Sequence, residues 1–444
     1  MNKKYPSQAW VVAVDMGYGH ERAAYALKEL AYGPVLIANN YRGIPRQERA
    51  YWRSSREIYE KVSRLKSLPV IGDLIFEVMD RFQQIEPFYP RRDLSAPTIQ
   101  LKQSYDLIKK GLGKHLIDLM RRRPLPLVAT FFQAAFMAEE AGYPEDIYCV
   151  VCDADCSRTW APLNPKQSRI KYLAPNGRVV ERLKLYGVRE ANIFLTGFPL
   201  PKELIGGTNS PILRHNLARR IKNLDPKGVF CSKYDRALAR RLGARWRSIN
   251  HKRPLTLTFA IGGAGAQKDL GVQITESLAV KISQGKIKLN LIVGTHHETM
   301  RYYRQTVKDL KLNKYLGKYI DIIHNETRAE YFVQFSKIIA DTDILWTKPS
   351  ELSFYTGLGL PIIIAPPIGS QEQFNRLWLK TVAGGITQND PRYTNEWLFD
   401  WVDSGGLART AWNGYVEAPS HGTYRIESLI TGKKTDLPQI PLIV

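Results

Sequence analysis

Polar side chains follow two short apolar segments in the region 341–385. The first segment runs from Ile344 to Trp346, and the second runs from Ile362 to Ala365 and ends at two prolines. The side chains that follow them are Thr347, Lys348, Ser350 and Glu351, and then Ser370, Gln371, Glu372 and Asn375. Carboxylate and amide groups bind hydroxyls, and the free N–H groups of a helix N-terminus bind phosphate. The set favours a ligand that carries sugar hydroxyls and phosphate.

A parallel sheet is the element that would position these side chains. The two apolar segments are expected to be strands, with a helical segment between them that closes at Gly357 and Gly359. Open α/β sheets bind their ligands at the carboxyl ends of the strands. The sequence therefore predicts a binding site at one edge of such a sheet.

A glycine turn near the N-terminus offers a second set of candidate residues. An apolar strand from Ala9 to Asp15 leads into Gly17, Gly19 and His20, and a helix is predicted from Glu21. Strand, glycine turn and helix form the start of a Rossmann-like unit. We expect Gly17 and Gly19 to line the ligand site.

Two features of this unit argue against common nucleotide cofactors. The third glycine of the dinucleotide pattern is missing, and the next predicted strand, Val35 to Ala38, ends in Asn39 rather than in an acidic residue that would hold a ribose. No GxxxxGK[ST] motif occurs either. A nicotinamide or flavin enzyme and a P-loop ATPase are therefore both disfavoured.

His20 is the titratable residue on this turn that is best suited to act as a general base. The alternative is a structural histidine that closes the turn through a hydrogen bond to the backbone. Asp153 and Asp155 follow the apolar strand Tyr148 to Cys152 and are the other candidate bases, although they could also bind metal or form a turn.

The glycine-turn pattern recurs in the second half of the chain. A strand from Leu255 to Ile261 is followed by a predicted helix from Asp269. The turn between them consists of Gly262, Gly263, Ala264, Gly265 and Ala266. Backbone N–H groups in such a turn can bind a diphosphate. The positive charge of Lys268 or Lys348 could stabilise the same diphosphate.

These repeats suggest an α/β protein of two Rossmann-like domains. We expect an N-terminal Rossmann-like domain at 1–200, a basic linker and entry to the second domain at 201–253, and a C-terminal Rossmann-like domain with tail helices at 254–444.

The formal net charge of +22 favours an anionic partner, which could be nucleic acid, an acidic membrane surface or a phosphorylated substrate. The basic runs are scattered and no nucleic-acid module is recognised, so nucleic acid is not favoured. No apolar run reaches the roughly 18 residues that span a bilayer. Residues 48–120 are predicted to be mostly helical, either facing the core or forming a basic, partly apolar membrane-facing surface.

Three cysteines, Cys149, Cys152 and Cys156, have spacing that invites a metal-site interpretation. They lie in an apolar strand, and no nearby cysteine or histidine completes a set of four ligands. Buried cysteines are the favoured interpretation, and no metal site is expected.

Six motifs in order resemble a known family of glycosyltransferases. The residues that carry the resemblance are GYGHERAA at 17–24, RVVERLKLYGVREANIFLTGFPL at 178–200, GGAGA at 262–266, TKP at 347–349, GLP at 359–361 and GSQEQFN at 369–375. The chain resembles the monogalactosyldiacylglycerol synthases and processive diacylglycerol glucosyltransferases of glycosyltransferase family 28. It is more distantly similar to the peptidoglycan lipid-intermediate N-acetylglucosaminyltransferase.

The resemblance implies a GT-B architecture, in which two Rossmann-like domains face each other across a cleft. It also implies metal-independent transfer of a hexose from a UDP-sugar to an acceptor, often a lipid such as diacylglycerol, without a tightly bound cofactor. In such relatives Gln371, Glu372 and Asn375 would meet the hexose, residues 262–266 the diphosphate, and His20 would lie near the reacting centre. A cytoplasmic protein that associates peripherally with an anionic membrane is the corresponding expectation.

One departure from the family affects the ribose contact. Relatives carry a glutamate seven residues before the proline of GLP, and Phe354 occupies that position here. Either Glu351 takes the ribose role through a reshaped turn, or the contact is lost.

Two alternatives from other functional classes stay open. A sugar-nucleotide epimerase on the same scaffold would need carboxylates and a histidine in the cleft, and His296, His297 and Glu298 are candidates. A degenerate relative without activity would hold lipid or nucleic acid through its basic surface.

Overall fold

The protein consists of two compact units, each of which gathers more than one stretch of the chain. A computed structural model describes residues 7–54, 85–249, 253–262, 267–440 and 442–443. The first unit comprises Met1–Pro201, Ile368–Asn375 and Pro419–Val444, and the second comprises Lys202–Pro367 and Arg376–Ala418. Two segments of the predicted domain 254–444 therefore belong with the first unit.

The first unit is built on a six-stranded parallel sheet. Its strands are β1 (Trp10–Ala13), β2 (Leu36–Ile37), β3 (Leu127–Ala129), β4 (Ile147–Val150), β5 (Lys171–Ala174) and β6 (Ile193–Leu195). The strand order is β2-β1-β3-β4-β5-β6. Strands β1, β3 and β4 are buried along their whole length, as expected for apolar runs covered on both faces of a parallel sheet.

Helices cover this sheet. Those with described bounds are Tyr18–Ala26, Ile99–Lys109, Lys114–Arg121, Phe132–Glu140, Gly177–Leu185 and Gly422–Thr431. Their apolar faces contribute Leu116, Met120 and Phe136 to one core cluster with the strands. Of the region 48–120 that was predicted to be helical, residues 55–84 lie outside the described part of the chain.

The second unit has its own six-stranded parallel sheet. Its strands are β7 (Leu255–Ala260), β8 (Ile287–Gly294), β9 (Ile320–His324), β10 (Ile344–Thr347), β11 (Ile362–Ile364) and β12 (Gly385–Thr387). The order is β12-β11-β10-β7-β8-β9, so β9 lies at one edge.

Helices also surround the second sheet. They are Pro211–Asn223, Val229–Leu242, Lys268–Ser283, His297–Asp309, Arg328–Asp341, Thr394–Asp403 and Gly406–Glu417, together with a 3-10 helix at Glu351–Leu358. The helix Ser370–Thr381 begins in the first unit and ends in the second. Trp346, which is fully buried, packs its ring edge-on against Trp397 at 5.3 Å in this core.

Each sheet is parallel and flanked by helices. This confirms the prediction of an α/β protein with two Rossmann-like domains, as in the GT-B fold class. Within the ranges that the structure describes, no helix combines the length and apolarity needed to cross a membrane.

Segments that are distant in sequence complete the first unit. Thr423, on the helix Gly422–Thr431, donates its hydroxyl to the Leu200 carbonyl at 2.6 Å. A side chain at Gly422 would place its Cβ 2.1 Å from the Phe198 carbonyl oxygen, so only glycine permits this close approach. The last helix of the chain is thereby fixed beside residues 198–200.

Candidate active site

His20 is attached to the carboxyl end of strand β3. Its Nδ1 lies 2.7 Å from the Thr130 carbonyl oxygen, and the Thr130 hydroxyl donates to the His20 carbonyl oxygen at 2.9 Å. A carbonyl can only accept a hydrogen bond, so Nδ1 carries the proton of this contact. In the neutral imidazole, Nε2 then holds the lone pair, which is the arrangement that a general base requires.

The turn before His20 depends on one glycine. Gly17 has φ of 105°, in the region that favours glycine, and the helix Tyr18–Ala26 starts directly after it. Asn39 supports the same turn, because its side chain accepts from the Asp15 N–H at 2.8 Å and donates to the Asp15 carbonyl at 3.1 Å. Asn39, found where dinucleotide enzymes carry an acidic residue, thus has a structural contact.

Aromatic rings surround the imidazole of His20. The ring of Phe131 lies 4.9 Å away and that of Trp160 lies 6.2 Å away, centroid to centroid. Phe132 contacts both, at 4.3 Å from Phe131 and 5.3 Å from Trp160. These rings were not among the predicted site residues, and the aromatic pair that follows Thr130 is the sequence signal that could have identified them.

Asp155 is a buried ion-pair centre. Arg182 donates to both oxygens of its carboxylate at 2.9 and 3.0 Å, and Arg178 donates to Oδ2 at 2.7 Å. Burial alone would lower the pKa of Arg182, but its hydrogen bonds with Asp155, the Asp155 charge and smaller contributions from Tyr186 and Cys156 together raise that pKa. Asp155 has no solvent exposure, and both of its oxygens are engaged by arginines. This geometry is that of a structural anchor.

Asp153 has a different environment, next to Asn375. The Asn375 side chain donates from Nδ2 to Asp153 Oδ1 at 2.9 Å and accepts at Oδ1 from the Ala154 N–H at 2.7 Å. On the other side, Asn176 donates to the Ala154 carbonyl at 3.0 Å. Asn375 is fully buried, so the amide predicted to meet a hexose is oriented towards the turn after β4.

The residues before Asn375 close a turn of their own. Glu372 accepts at Oε2 from the Ile368 N–H over 2.6 Å, just ahead of the helix Ser370–Thr381. The Ser370 hydroxyl oxygen is buried and, within the described part of the chain, has no hydrogen-bond partner. Gln371 is half-buried. Ser370 and Gln371 are therefore the residues of this segment best suited to bind a ligand.

The ends of strands β7 and β10 meet in the second unit. The Thr347 hydroxyl donates to the Ala260 carbonyl at 3.0 Å. The next residue, Lys348, passes so close to Gly262 that a Cβ there would lie 2.2 Å from Lys348 Cε. Residues Gly263, Ala264, Gly265 and Ala266 lie outside the described residues. Gly262, the first residue of the glycine turn, thus leaves space for the side chain of Lys348, which follows strand β10.

Glu351 begins the 3-10 helix Glu351–Leu358 and is buried, while Ser350 before it is half-buried. The helix is held at its far end by Arg220, which donates to the carbonyls of Leu358 at 2.9 Å and Gly359 at 3.0 Å. This cation at a helix C-terminus matches the helix dipole.

Phe354, at the position of the family's ribose glutamate, is buried and packs against the Trp378 ring at 4.8 Å. Its side chain serves the core and offers no hydrogen bond to a ribose. Glu351 therefore stays the predicted ribose ligand.

The three closely spaced cysteines are buried and free. Burial raises the pKa of the Cys149 thiol, and burial followed by the nearby Asp155 charge raises that of Cys156. Cys152 donates its thiol to the Thr130 carbonyl at 3.4 Å. The raised pKa values of Cys149 and Cys156 disfavour the thiolate form that metal binding or nucleophilic attack requires.

Comparison with known proteins gives a short family match and distant structural neighbours. A family model described as a domain of unknown function (DUF6938) matches residues 236–337. None of the curated proteins matches the sequence.

Three solved structures illustrate the structural likeness. The UDP-GlcNAc 2-epimerase of Neisseria meningitidis, bound to UDP-GlcNAc, is 10% identical with a TM-score of 0.45, over 83% of this chain and 95% of that one. MurG of Acinetobacter baumannii is 12% identical with a TM-score of 0.38, over 85% and 96%. A glycosyltransferase of Rickettsia africae is 12% identical with a TM-score of 0.37, over 81% and 88%.

Proposed function

We propose that the protein is a glycosyltransferase that moves a hexose from a UDP-sugar to the hydroxyl of a lipid acceptor. The observation that carries this proposal is the contact between His20 Nδ1 and the Thr130 carbonyl at 2.7 Å. It leaves the lone pair of the neutral ring on Nε2, at the carboxyl edge of a parallel sheet where α/β enzymes bind substrates. The resemblance of residues 17–24 to the glycosyltransferase turn supports the same role.

In the proposed reaction, His20 Nε2 takes the proton of the acceptor hydroxyl. The acceptor oxygen forms a bond to C1 of the hexose, and the bond between C1 and the diphosphate oxygen breaks. The electron pair of that bond leaves with UDP. General-base assistance of this kind typically contributes about 100- to 10,000-fold in rate.

The leaving diphosphate needs positive charge or N–H donors. Lys348 is the preferred cation, because it lies against Gly262 at the start of the glycine turn. Lys268 is less suitable, since its ammonium lies 5.0 Å from the Tyr302 ring centroid in a cation–π contact. In this proposal Ser370 and Gln371 bind the hexose, and Glu351 binds the ribose.

Asp153 and Asp155 have separate roles in the proposed site. Asp155, paired with two arginines, is assigned to holding the turn after β4. Asp153 is half-buried and is the carboxylate that could assist His20 or replace it as the base. Asn375 is assigned to positioning Asp153.

The lipid acceptor is inferred from the family resemblance and the charge. A net charge of +22 would draw the protein to an anionic bilayer, where a diacylglycerol acceptor is dissolved. We therefore propose peripheral membrane association on the cytoplasmic side.

The deciding experiment incubates the purified protein with UDP-glucose, UDP-galactose or UDP-N-acetylglucosamine, with and without vesicles that contain diacylglycerol. The expected result is UDP release and a glycolipid product only when vesicles are present. An epimerised sugar nucleotide without acceptor would instead identify an epimerase. If none of the three donors is consumed or raises the melting temperature at millimolar concentration, the proposal fails.

A further inference from the structure

Two histidines and a glutamate come together at the edge of the second sheet. Their ligand atoms, from His297, His324 and Glu326, all lie within 4.8 Å of one another. Glu326 Oε2 is 3.4 Å from His297 Nε2, and Glu326 Oε1 is 3.9 Å from His324 Nδ1. The two imidazole rings lie 4.2 Å apart, centroid to centroid.

These distances suit a shared ion better than direct hydrogen bonds. N–H···O hydrogen bonds in proteins measure about 2.7–3.2 Å, and both distances to Glu326 are longer. Ligand atoms about 2.0–2.1 Å from a tetrahedral Zn²⁺ lie about 3.3–3.4 Å from one another. The three groups therefore need only small side-chain movements to surround one ion.

His324 has coordinating capacity that the described residues leave unused. Its side chain is 9% exposed, and its buried Nε2 makes no hydrogen bond within the described ranges. A neutral imidazole always has one unprotonated nitrogen. Nδ1 is the His324 nitrogen that faces Glu326, at 3.9 Å, and in the neutral ring protonated at Nε2 its lone pair is available to an ion. Imidazole is among the commonest metal ligands.

Two of the three residues lie on regular structure, and Glu326 lies in the bend that follows β9. His324 is the last residue of β9 and pairs in register with Gly294, the last residue of β8. The Asn325 N–H donates to the Gly294 carbonyl at 3.0 Å, which fixes the chain just before Glu326. His297 is the first residue of the helix His297–Asp309.

The charges of the cluster fit a divalent ion of the zinc type. Glu326 supplies the one negative charge. Two imidazoles and one carboxylate suit Zn²⁺ and its neighbours in the transition series better than Mg²⁺ or Ca²⁺, which prefer oxygen ligands.

We propose that His297, His324 and Glu326 bind one zinc-type divalent metal ion. Exposure of His297 (58%) and Glu326 (74%) leaves the remaining coordination positions open to water or to a ligand oxygen. This proposal departs from the expectation, based on the sequence, that no metal site exists. His324 and Glu326 are distant in sequence from His297, so no recognisable spacing indicated the cluster.

The test measures binding of Zn²⁺ alone to the full chain. The protein, prepared without a polyhistidine tag and stripped with a chelator, is dialysed against Zn²⁺ and analysed for metal. We expect about one Zn²⁺ per chain and a higher melting temperature with Zn²⁺ than without it.

Two variants and a matched control make the assignment specific. His324→Ala and Glu326→Gln should each weaken Zn²⁺ binding by more than about 10-fold. His215→Ala removes an exposed histidine from another helix of the same unit and should bind Zn²⁺ like the parent. Because Glu326 is exposed, Glu326→Gln should fold normally. Its Zn²⁺ binding then tests the proposal even if His324→Ala does not fold.

No bound Zn²⁺ in the parent protein, or unchanged binding in Glu326→Gln, would overturn the proposal. The result does not depend on glycosyltransferase activity, because Zn²⁺ binding is measured without any sugar nucleotide.

Discussion

Asn375 bridges Asp153 and Ala154 in the turn after strand β4, donating to the Asp153 carboxylate at 2.9 Å and accepting from the Ala154 N–H at 2.7 Å. The amide is the side chain that can do both, since it has a donor and an acceptor at its tip. This contact joins the predicted sugar-binding segment to a predicted catalytic carboxylate within one unit.

The Asn375 contact predicts that Asn375→Asp is more harmful than its small change in size implies. The new carboxylate loses the donor to Asp153 and places two like charges together in a buried position. We expect a loss of about 1–3 kcal/mol in the free energy of unfolding, measured by urea denaturation. Gln373→Ala, on the exposed side of the same helix, should change it by less than about 0.5 kcal/mol. Equal stability of both variants would show that the Asn375 contact carries little energy.

Replacement of His20 by asparagine should separate its structural contact from its proposed chemistry. The asparagine amide can still donate to the Thr130 carbonyl but provides no basic nitrogen. We expect a fall of about 100- to 10,000-fold in the rate of UDP release, with donor affinity and melting temperature nearly unchanged.

Thr130→Val is the control for His20, because it removes the hydroxyl contacts to the His20 and Val12 carbonyls but keeps the Thr130 carbonyl that His20 Nδ1 contacts. It should keep most of the rate. Normal turnover per folded molecule in His20→Asn would assign the histidine to structure and move the base to Asp153.

Asp155→Asn should lower the free energy of unfolding and not only the rate of the proposed reaction. The substitution leaves the buried Arg182 guanidinium without its counter-charge, and breaking a buried pair in this way typically costs about 3–5 kcal/mol. Asp146→Asn breaks the more exposed pair with Lys171 and should cost less than about 1 kcal/mol. Denaturant unfolding of both variants measures the difference. A stable but inactive Asp155→Asn protein would contradict the anchor role.

Gly262→Ala should displace Lys348, since the added Cβ would lie 2.2 Å from Lys348 Cε. A lysine side chain is flexible and can move away, so stability should change little while UDP binding weakens. A double-mutant cycle with Lys348→Ala tests this explanation. If the two changes act through the same ammonium, the double variant should bind UDP as weakly as Lys348→Ala alone. Additive losses would show that Gly262 affects UDP by another route.

Adsorption to membranes should depend on charge. Each basic residue near an anionic surface contributes about 1 kcal/mol at low salt. We expect the protein to float with vesicles that contain anionic lipid at low ionic strength and to be released at high ionic strength. Neutral vesicles are the control, and equal binding to both kinds would indicate that the excess of 64 basic over 42 acidic residues serves another partner.

Much of the fold could be predicted because short, contiguous runs of apolar residues indicate buried parallel strands. The apolar runs at 10–13 and 255–260 appear as strands β1 and β7 in the two sheets. The helix after Gly17 follows from its turn and its alanines. Such signals extend over a few residues each, so reading along the chain detects them.

The contacts at the candidate site were harder to predict because they join distant residues. Asn375 lies 222 positions from Asp153, and nothing in the sequence around either residue indicates the other. The same holds for the pairing of Asp155 with Arg182, 27 positions away. A sequence motif identifies the type of side chain, whereas only the fold decides whether that side chain meets a ligand or another residue.

The composition of the first unit has a consequence for biosynthesis. The chain passes between the units at 201/202, 367/368, 375/376 and 418/419, and the helix Gly422–Thr431 is made after the last segment of the second unit. Domains usually fold in order from the N-terminus during translation. Here the first unit cannot bury the surface around Phe198 and Leu200 until residue 431 has left the ribosome. A nascent chain stalled shortly before that point would expose this surface to chaperones, whereas a chain extended past that point could cover it.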